Sequence, residues 1–292
     1  MTKLLLLGAQ GQVGQELQRT LAPLGEVVAL DRAQLDLTRE GDLRELLHSQ
    51  APAVVVNAAA YTAVDRAEQE PELAGAVNAR VPQILAEESQ TLGAYLIHIS
   101  TDYVFDGQKN APYLETDPTA PLGVYGESKL AGERAILKTG AEALILRTAW
   151  VYGVYGQGNF VKTMLRLGKE RRQLKVVVDQ VGSPTWARDI ASALARLIPQ
   201  RTTGIYHFTN SGAASWYDFA TAIFAEARAL GAVLEVGEVL PIPTSAYPTP
   251  ARRPAYSVLS WEKTAAALGA YPPHWRESLR QMLVEAKAEG LF

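Results

Sequence analysis

A glycine-rich segment directly after a short apolar run constrains the fold of this chain more than any other feature. Residues 4–7 are all leucine, the segment Gly-Ala-Gln-Gly-Gln-Val-Gly follows at 8–14, and Leu17 and Leu21 continue at helical spacing. The order strand, glycine turn, helix is typical of dinucleotide-binding folds, because bare backbone and helix N-terminal amides accommodate a pyrophosphate. The spacing here is G-x-x-G-x-x-G, and close packing of a helix on a strand is the alternative explanation.

The end of the second apolar run supports the nucleotide interpretation. Residues 27–30 lead into Asp31, about 20 residues after the middle glycine of the turn. A carboxylate at this position accepts hydrogen bonds from the 2′ and 3′ hydroxyls of an adenosine ribose. Asp31 favours NAD because it repels a 2′-phosphate, whereas the neighbouring Arg32 could hold that phosphate. The sequence therefore predicts a nicotinamide cofactor and leaves the choice between NADH and NADPH open.

Apolar runs alternate with helical patterns throughout the first half of the chain. Further runs lie at residues 53–56, 94–99 and 144–146. Continuous apolar runs are typical of parallel strands that are covered on both faces. We therefore predict an α/β fold, with a doubly wound parallel Rossmann sheet in residues 1–150. Residues 151–292 are predicted to form mainly a smaller α/β substrate-binding domain, from which segments such as 172–200 could return to the sheet.

A tyrosine and a lysine four residues apart, Tyr125 and Lys129, follow the fourth apolar run across a proline-rich loop. Residues i and i+4 lie on one face of a helix, so the phenol and the ammonium group can point into one cavity. A nearby cation favours the phenolate. We therefore expect Lys129 to lower the pKa of Tyr125 and make it a proton donor. A solvated helix face is the alternative interpretation of Lys129.

The fourth run contains His98 and ends in Ser100-Thr101-Asp102, on the sheet edge where the glycine turn is predicted. A ketone that accepts a hydride develops negative charge on its oxygen, so the site needs a proton donor and a group that holds the oxygen. Tyr125 suits the first role and Thr101 the second, while Lys129 would hydrogen-bond the nicotinamide ribose. Capping a turn is the alternative role of Thr101, and His98 is predicted to be a core residue.

Three residues further along the chain are candidates for substrate contact. Trp150 comes just past the fifth strand on the same edge and could contact a sugar, although core packing is the commoner role of tryptophan. Arg252 and Arg253 lie within residues 241–254, which hold five prolines and are predicted to lack regular structure. Flanking prolines could hold these guanidinium groups for a diphosphate, and a solvated surface role fits the sequence equally well.

Composition excludes several other classes of function. The 292 residues are 48% apolar and carry a net charge of −3, which argues against a surface for nucleic acid. The sequence has no cysteine, and its four histidines are too far apart for a local metal motif. No apolar run reaches the roughly 18 residues of a membrane span. We expect a cytoplasmic protein that binds neither nucleic acid nor membrane.

Several motifs together resemble the dTDP-4-dehydrorhamnose reductase family, a branch of the extended short-chain dehydrogenase/reductase superfamily. They are the glycine turn, NAAAYTAVD at 57–65, STDYVFDG at 100–107, YGESK at 125–129, RTAWVY at 147–152 and PTSAYPTP at 243–250. The similarity covers nearly the whole chain. It implies reduction of the C4 ketone of dTDP-4-dehydro-L-rhamnose by NADPH or NADH, the last step of dTDP-L-rhamnose synthesis for cell-surface polysaccharide.

The resemblance also implies roles for individual residues. The catalytic triad would be Thr101, Tyr125 and Lys129. Cofactor contacts are expected from Gly8, Gly11, Gln12, Val13, Gly14, Asp31, Asp36, Leu37, Ala60, Tyr61, Thr62, Tyr125 and Lys129. Contacts with the nucleotide-sugar substrate are expected from Thr101, Asp102 and Trp150, and the loop argument above adds Arg252 and Arg253.

Some members of the family that the chain resembles are dimers in which glutamates bind a bridging magnesium ion. Glu16 and Glu285 match those positions, but Arg188 stands where a further acid is expected. An arginine brings charge of the wrong sign, so we expect no metal site in this chain. A homodimer stays compatible with the sequence.

Two other functions are kept as alternatives. A non-catalytic cofactor-binding protein, related to the regulatory subunit of methionine adenosyltransferase, would show no turnover. A sugar-nucleotide epimerase or dehydratase would reoxidise its cofactor in place. Cofactor stoichiometry separates the three functions, because only a reductase consumes one NAD(P)H per substrate.

Overall fold

The computed structural model describes residues 2–292. The strands are β1 (Lys3–Leu7), β2 (Glu26–Leu30), β3 (Val54–Asn57), β4 (Tyr95–Thr101), β5 (Ala143–Thr148), β6 (Val151–Tyr152), β7 (Gln173–Val177), β8 (Val181–Gly182), β9 (Thr185–Trp186), β10 (Gly204–His207), β11 (Ala214–Ser215) and β12 (Glu238–Ile242). The helices are α1 (Gln12–Leu21), α2 (Glu40–Gln50), α3 (Val64–Ala67), α4 (Pro71–Gly75), α5 (Val81–Leu92), α6 (Val124–Thr139), α7 (Phe160–Glu170), α8 (Ala187–Leu197), α9 (Trp216–Ala229), α10 (Glu262–Leu268) and α11 (Trp275–Ala288). None of the helices within residues 2–292 has the length and apolar character needed to cross a membrane.

Six of the strands form a parallel sheet in the order β10-β5-β4-β3-β1-β2. Successive strands are added on one side of β1 as far as β2 and on its other side from β3 onwards, so the strand order reverses between β1 and β3. In such sheets ligands bind at this point, outside the carboxyl ends of the strands. The register brings those ends level, because Leu7 lies opposite both Leu30 and Asn57. The prediction of a doubly wound α/β fold is confirmed.

Strand β1 shows why the sheet is covered on both faces. Successive side chains of a strand point to opposite faces, so Leu4 and Leu6 pack into one apolar cluster and Leu5 and Leu7 into another. The first cluster is completed by α1 and α8, the second by α2 and α5. All four leucines are at most 1% exposed, as expected for a strand in the centre of a parallel sheet.

The second half of the chain contributes to two regions. Helix α8 packs against α1, and β10 pairs with β5 at the edge of the central sheet. Helices α7, α9 and α11 enclose a separate apolar cluster. Within the segment 172–200, β7 pairs with β12 outside the central sheet. We propose to count residues 187–208 with the nucleotide-binding region and the rest of 151–292 with the substrate-binding region.

The structure corrects the prediction for residues 241–254. Strand β12 extends to Ile242 and therefore includes Pro241, and residues Thr244–Ala246 form a 3₁₀ turn. Proline is tolerated in a strand at the edge of a sheet, where its missing N–H removes no ladder hydrogen bond. Because β12 pairs with β7 in a sheet of two strands, it is such an edge. The expectation of no regular structure is wrong for this part of the segment.

Candidate active site

The carboxyl ends of β1, β3 and β4 bring the predicted cofactor and catalytic segments together. Just after β1 the chain turns at Gly8, which has φ +81°. A Cβ added to Gly8 would lie 2.6 Å from the amide nitrogen of Ala59, just after β3. A Cβ on Gly14 would lie 2.1 Å from the Gly8 carbonyl oxygen. The two glycines therefore allow α1 and the segment after β3 to approach the turn closely.

The first turn of α1 has the features of a pyrophosphate site. Gly11 is the N-cap, and within the described chain no side chain caps the free amides of this helix end. Gln12 follows, its Oε1 accepts a hydrogen bond from Asn159 Nδ2 at 2.8 Å, and Val13 is buried under the helix. Backbone amides and the positive end of the helix dipole favour an anion here. The glycine turn thus fits the diphosphate of a nicotinamide dinucleotide.

Asp31 and Asp36 lie in the loop after β2, next to the turn. Asp31 Oδ1 accepts hydrogen bonds from the amides of Ala33 at 2.9 Å and Gln34 at 3.1 Å, which fix the carboxylate. The Thr38 hydroxyl lies 2.7 Å from Asp36 Oδ1 and is the main reason that the pKa of this exposed carboxyl is lowered. Asp31 directly follows β2 and fits the ribose role, whereas Asp36 Oδ1 is engaged in its own turn, with the half-buried Leu37 beside it.

A single asparagine, Asn78, holds the Ala60-Tyr61-Thr62 segment against α6, the helix that carries Tyr125. Asn78 Oδ1 accepts from the Tyr61 amide at 2.9 Å, and its Nδ2 donates to the Tyr61 carbonyl at 3.0 Å and to Ser128 Oγ at 3.0 Å. Asn78 is buried in a π-helical turn, Ala76–Arg80, between α4 and α5. The sequence alone predicts one long helix over residues 71–90, and the structure interrupts it at this turn. Turns of this kind occur frequently at functional sites.

Thr101 and Tyr125 converge at the carboxyl end of β4. Thr101 is the last residue of the strand, donates a hydrogen bond to Asp102 Oδ1 at 3.0 Å, and accepts one from the Tyr103 amide at 3.2 Å. Burial raises the pKa of Tyr125 to about 12, and a hydrogen bond with the Thr101 side chain opposes that shift. Tyr103, whose amide bonds Thr101 and whose ring packs edge-on against Tyr125 with centroids 5.4 Å apart, links the two residues at this strand end.

Two glycines at the start of α6 explain how Tyr125 reaches this position. An added Cβ on Gly126 would lie 2.2 Å from the Tyr103 carbonyl oxygen, so any larger residue would push the helix away from the turn after β4. A Cβ on Gly123 would lie 2.5 Å from Glu68 Oε1, which accepts from the Val124 amide at 3.0 Å. Glu68 thereby caps α6, and the conformation of this helix start is fixed by contacts outside the helix.

Lys129 does not lower the pKa of Tyr125 in this structure, contrary to the expectation from the sequence. Its Nζ donates to the Ile99 carbonyl at 2.6 Å and lies 3.3 Å from His98 Nε2, so the amine is directed towards β4. Burial lowers the pKa of Lys129 to about 8, and the charge of Glu133 opposes this shift. A buried lysine with this pKa loses its proton near pH 8 rather than far above it.

His98 is the functional contact that the sequence did not reveal. It is buried, as predicted, but it lies between Lys129 and Asn57, whose Nδ2 is 3.1 Å from His98 Nδ1. Asn57 Oδ1 accepts from the Ala59 amide at 3.2 Å, which leaves Nδ2 as the donor to His98. The proton of the neutral imidazole then belongs on Nε2, facing Lys129. This arrangement favours the uncharged amine.

A buried ion pair lies on the other side of Lys129. Arg147 Nε and Nη2 donate to the two oxygens of Glu133 at 2.9 and 2.6 Å, and Ser100 Oγ also donates to this carboxylate. Arg147 and Glu133 are nearly unexposed. A bidentate pair of this kind satisfies both charges and fixes α6 on β4 and β5.

The predicted substrate residues divide into two groups. Asp102 is buried beside Thr101, and burial raises its pKa to about 6. Trp150 has φ +47° and stacks on Trp216, with ring centroids 3.4 Å apart and planes within 2°. It is half-buried, so the side chain packs in the protein and stays partly accessible.

The second group lies in the proline-rich loop. Arg252 is exposed, whereas Arg253 is half-buried and forms two hydrogen bonds with Asp65, at 2.8 and 3.2 Å. Asp65 belongs to the segment after β3, so this ion pair holds the loop against the sheet edge. The structure brings Arg253 to the site and engages two of its nitrogens with the protein itself.

Known proteins are similar to this chain over nearly its whole length. Residues 1–288 match the family model described as RmlD substrate binding domain. A protein of Burkholderia thailandensis named dTDP-4-dehydrorhamnose reductase is 51% identical over 285 residues, which are 94% of this chain and 95% of that protein. A protein of the same name from Escherichia coli K12 is 47% identical over 291 residues, which are 97% of each chain.

A solved structure is also similar over nearly the whole chain. It is the crystal structure of dTDP-4-dehydrorhamnose reductase from Bacillus anthracis in complex with NADP, with a TM-score of 0.91 and 39% identity. The match covers 98% of this chain and 100% of that one. Sheet, glycine turn and C-terminal helices therefore all belong to the shared architecture.

Proposed function

Since the chain belongs to the family described as RmlD substrate binding domain, we propose that it reduces the C4 ketone of dTDP-4-dehydro-L-rhamnose to dTDP-L-rhamnose. It uses NADPH or NADH. Relatives named for this activity are close to half identical to it over nearly their full length. The single observation that carries the proposal is that Thr101 and Tyr125 meet at the carboxyl end of β4, where Tyr103 contacts both of them.

The nicotinamide dinucleotide supplies the hydride, and the chain offers groups for each part of it. Gly8, Gly11, Gln12, Val13 and Gly14 would hold the diphosphate at the first turn of α1. Asp31 would bind the adenosine ribose and Leu37 would line that end, while the Asp36 carboxylate would stay hydrogen-bonded to Thr38 in its own turn. Ala60, Tyr61 and Thr62 lie nearer the catalytic helix, to which Asn78 ties them.

Tyr125 donates the proton in our mechanism. As the C4 carbon receives the hydride, the ketone oxygen takes the phenolic proton and becomes the hydroxyl of the product. When the substrate is bound, Thr101 turns its single hydroxyl proton from Asp102 to the same oxygen and stabilises its developing charge. The hydrogen bond from Thr101 to Asp102 orients the threonine before the substrate arrives. The phenolate left on Tyr125 recovers its proton from solvent before the next turnover.

Lys129 positions the nicotinamide ribose and supplies positive charge when it is protonated. Its contacts with Ile99 and His98 fix the amine next to the end of β4. We assign His98 as a positioning residue, because it acts through Lys129 and because its tautomer influences the proton on that amine.

Trp150, Arg252 and Arg253 serve the nucleotide-sugar substrate. The accessible part of the half-buried Trp150 can lie against the sugar ring. Arg252 is free to reach the diphosphate, and Arg253 contributes mainly by holding the loop on Asp65. We further propose that the reaction takes place in the cytoplasm, that the chain binds neither nucleic acid nor membrane, and that it can form homodimers, which sedimentation analysis would test.

A stoichiometric assay tests the proposed function. The purified chain is incubated with dTDP-4-dehydro-L-rhamnose and either NADH or NADPH, and cofactor oxidation is compared with dTDP-L-rhamnose formed. We expect one cofactor oxidised per product. Product formation without net oxidation would indicate an epimerase, and the absence of turnover would indicate a regulatory subunit.

A further inference from the structure

Two glutamates and an arginine from three different helices meet in one cluster, which we term the Arg188 clamp. Arg188 of α8 donates through Nε to Glu16 Oε2 of α1 at 3.3 Å and through Nη2 to Glu285 Oε1 of α11. The Glu16 side chain is 2% exposed, that of Glu285 18% and that of Arg188 34%. One partly buried guanidinium group therefore bridges two carboxylates that belong to distant parts of the chain.

The surroundings of the clamp complete its charge balance. Arg19 Nη1 lies 3.7 Å from Glu285 Oε1, and the Tyr155 hydroxyl donates to the same oxygen at 3.2 Å. The Arg188 guanidinium also lies over the Trp186 ring, 4.7 Å from its centroid, an arrangement that stabilises a cation. Two negative charges thus face two positive charges.

The family resemblance implies a divalent cation between Glu16 and Glu285, and the residues present can be tested against it. Glu16 Oε1 and Glu285 Oε2 are buried without a hydrogen-bond partner among residues 2–292, which taken alone would suit a cation. The other oxygen of each carboxylate is engaged by Arg188, so a metal ion would lie against a guanidinium group. Within the described residues no third acidic or histidine side chain joins the pair. The residues do not fit a resident magnesium ion, which needs an octahedral shell of oxygens.

We propose that Arg188 is a built-in cation that takes the place of a divalent metal ion between Glu16 and Glu285 and ties the cofactor helix α1 to the C-terminal helix α11. Its planar fork of N–H donors reaches two carboxylates at once, which a lysine cannot do. A buried carboxylate such as Glu16 requires a counter-charge. Without the guanidinium group, two like charges remain together, and a divalent cation would then have a reason to bind.

Thermal unfolding of the full chain tests this proposal without relying on activity. For the wild type we expect the same Tm in EDTA and in MgCl2, and no heat of Mg²⁺ binding in calorimetry. Arg188→Ala should lower the Tm in EDTA by about 4–8 °C. Addition of MgCl2 or MnCl2 should restore part of this loss in a saturable manner. The double variant Arg188→Ala with Glu16→Gln should lose the metal response.

Arg19→Ala is the matched control, because Arg19 is exposed and lies beside the same glutamate; it should lose little Tm and gain no response to metal. Arg188→Lys keeps the charge and should fold and ignore EDTA even if Arg188→Ala does not fold. A wild-type Tm that falls in EDTA and recovers in MgCl2 would overturn the proposal. So would an Arg188→Ala variant that melts like the wild type in EDTA, or an Arg188→Lys variant that requires MgCl2.

Discussion

Lys129 Nζ lies 3.3 Å from His98 Nε2, inside the protein and at the end of the strand that carries Thr101. The pair connects the catalytic helix α6 with β4, and through Asn57 it also reaches β3. A lysine amine usually keeps its charge until far above neutral pH. Here burial lowers the pKa of Lys129 to about 8. The protonation of Lys129 can therefore change within the working range of an enzyme.

The first prediction concerns the pH dependence of kcat/KM. In our mechanism the charged amine is the form that holds the nicotinamide ribose, and it loses its proton as the pH rises through about 8. We therefore expect kcat/KM to be highest below that pH and to fall about tenfold per pH unit above it. The measurement is a pH profile at low substrate concentration, which reports the free enzyme. A flat profile through this pH range would show that turnover does not depend on the charge of Lys129 and would contradict the prediction.

His98→Gln tests the positioning role through the same profile. A glutamine carbonyl can accept a hydrogen bond from the ammonium group of Lys129, which the Nε2–H of His98 cannot do. The charged amine is therefore more stable in this variant, and the decline of kcat/KM at high pH should begin about one pH unit higher. Phe105 is also buried, in an apolar cluster that does not include His98. Phe105→Leu is therefore the control, which should lower stability and leave the pH of the decline in kcat/KM unchanged. If His98→Gln lowers kcat at all pH values without shifting this decline, His98 has a structural role only.

A second prediction concerns the asparagine clamp. Asn78→Ala removes the hydrogen bonds to Tyr61 and Ser128 and leaves partly buried backbone groups of Tyr61 unpaired, which should lower the free energy of unfolding by about 1–3 kcal/mol. Because Tyr61 is expected to contact the cofactor, the Kd of NADPH should rise by about tenfold in this variant. Fluorescence titration with NADPH and denaturant unfolding measure the two effects. Ser128→Ala, which loses only one of these bonds, should keep wild-type cofactor affinity; equal weakening by both variants would refute the clamp.

The position of these contacts shows where sequence reasoning reaches its limit. The strands, the glycine turn and the Thr101–Tyr125 site follow from local patterns, because continuous apolar runs and parallel strand ends define one sheet edge. The contact of Asn57 with His98 depends on the register of β3 on β4, in which these two residues lie opposite each other. Register is set by the whole sheet, so a histidine within an apolar run carries no local sign of its partner.

The side-chain direction of Lys129 was equally inaccessible. Helical spacing placed it on the face of Tyr125, but the Ile99 carbonyl and burial direct its amine to β4. The π-helical turn at Asn78 has no local sequence signature either, because it arises where α5 packs against α6 and Gly132 touches the Asn78 carbonyl. Tertiary contacts decided both features.

A third prediction separates the two carboxylates near the adenosine ribose. Asp31→Asn should weaken NADH binding about tenfold and NADPH binding less, because the wild-type charge already disfavours a 2′-phosphate. Asp36→Asn is the control, since Asp36 Oδ1 is engaged by Thr38 in its own turn and its loss should affect both cofactors little. Dissociation constants for both cofactors decide the matter. Equal weakening of NADH and NADPH by Asp31→Asn would remove Asp31 from the ribose site.

The central claim is that Tyr125 delivers the proton to the substrate ketone, and Tyr125→Phe tests it most directly. The control is Tyr103→Phe, because the Tyr103 ring packs edge-on against Tyr125 with centroids 5.4 Å apart and has no catalytic role in this account. With saturating NADPH and dTDP-4-dehydro-L-rhamnose, we expect kcat of Tyr125→Phe to fall at least about 100-fold while the Kd of NADPH stays near that of the wild type. Tyr103→Phe should retain most of its turnover. A Tyr125→Phe variant that turns over at a near-normal rate would contradict the account.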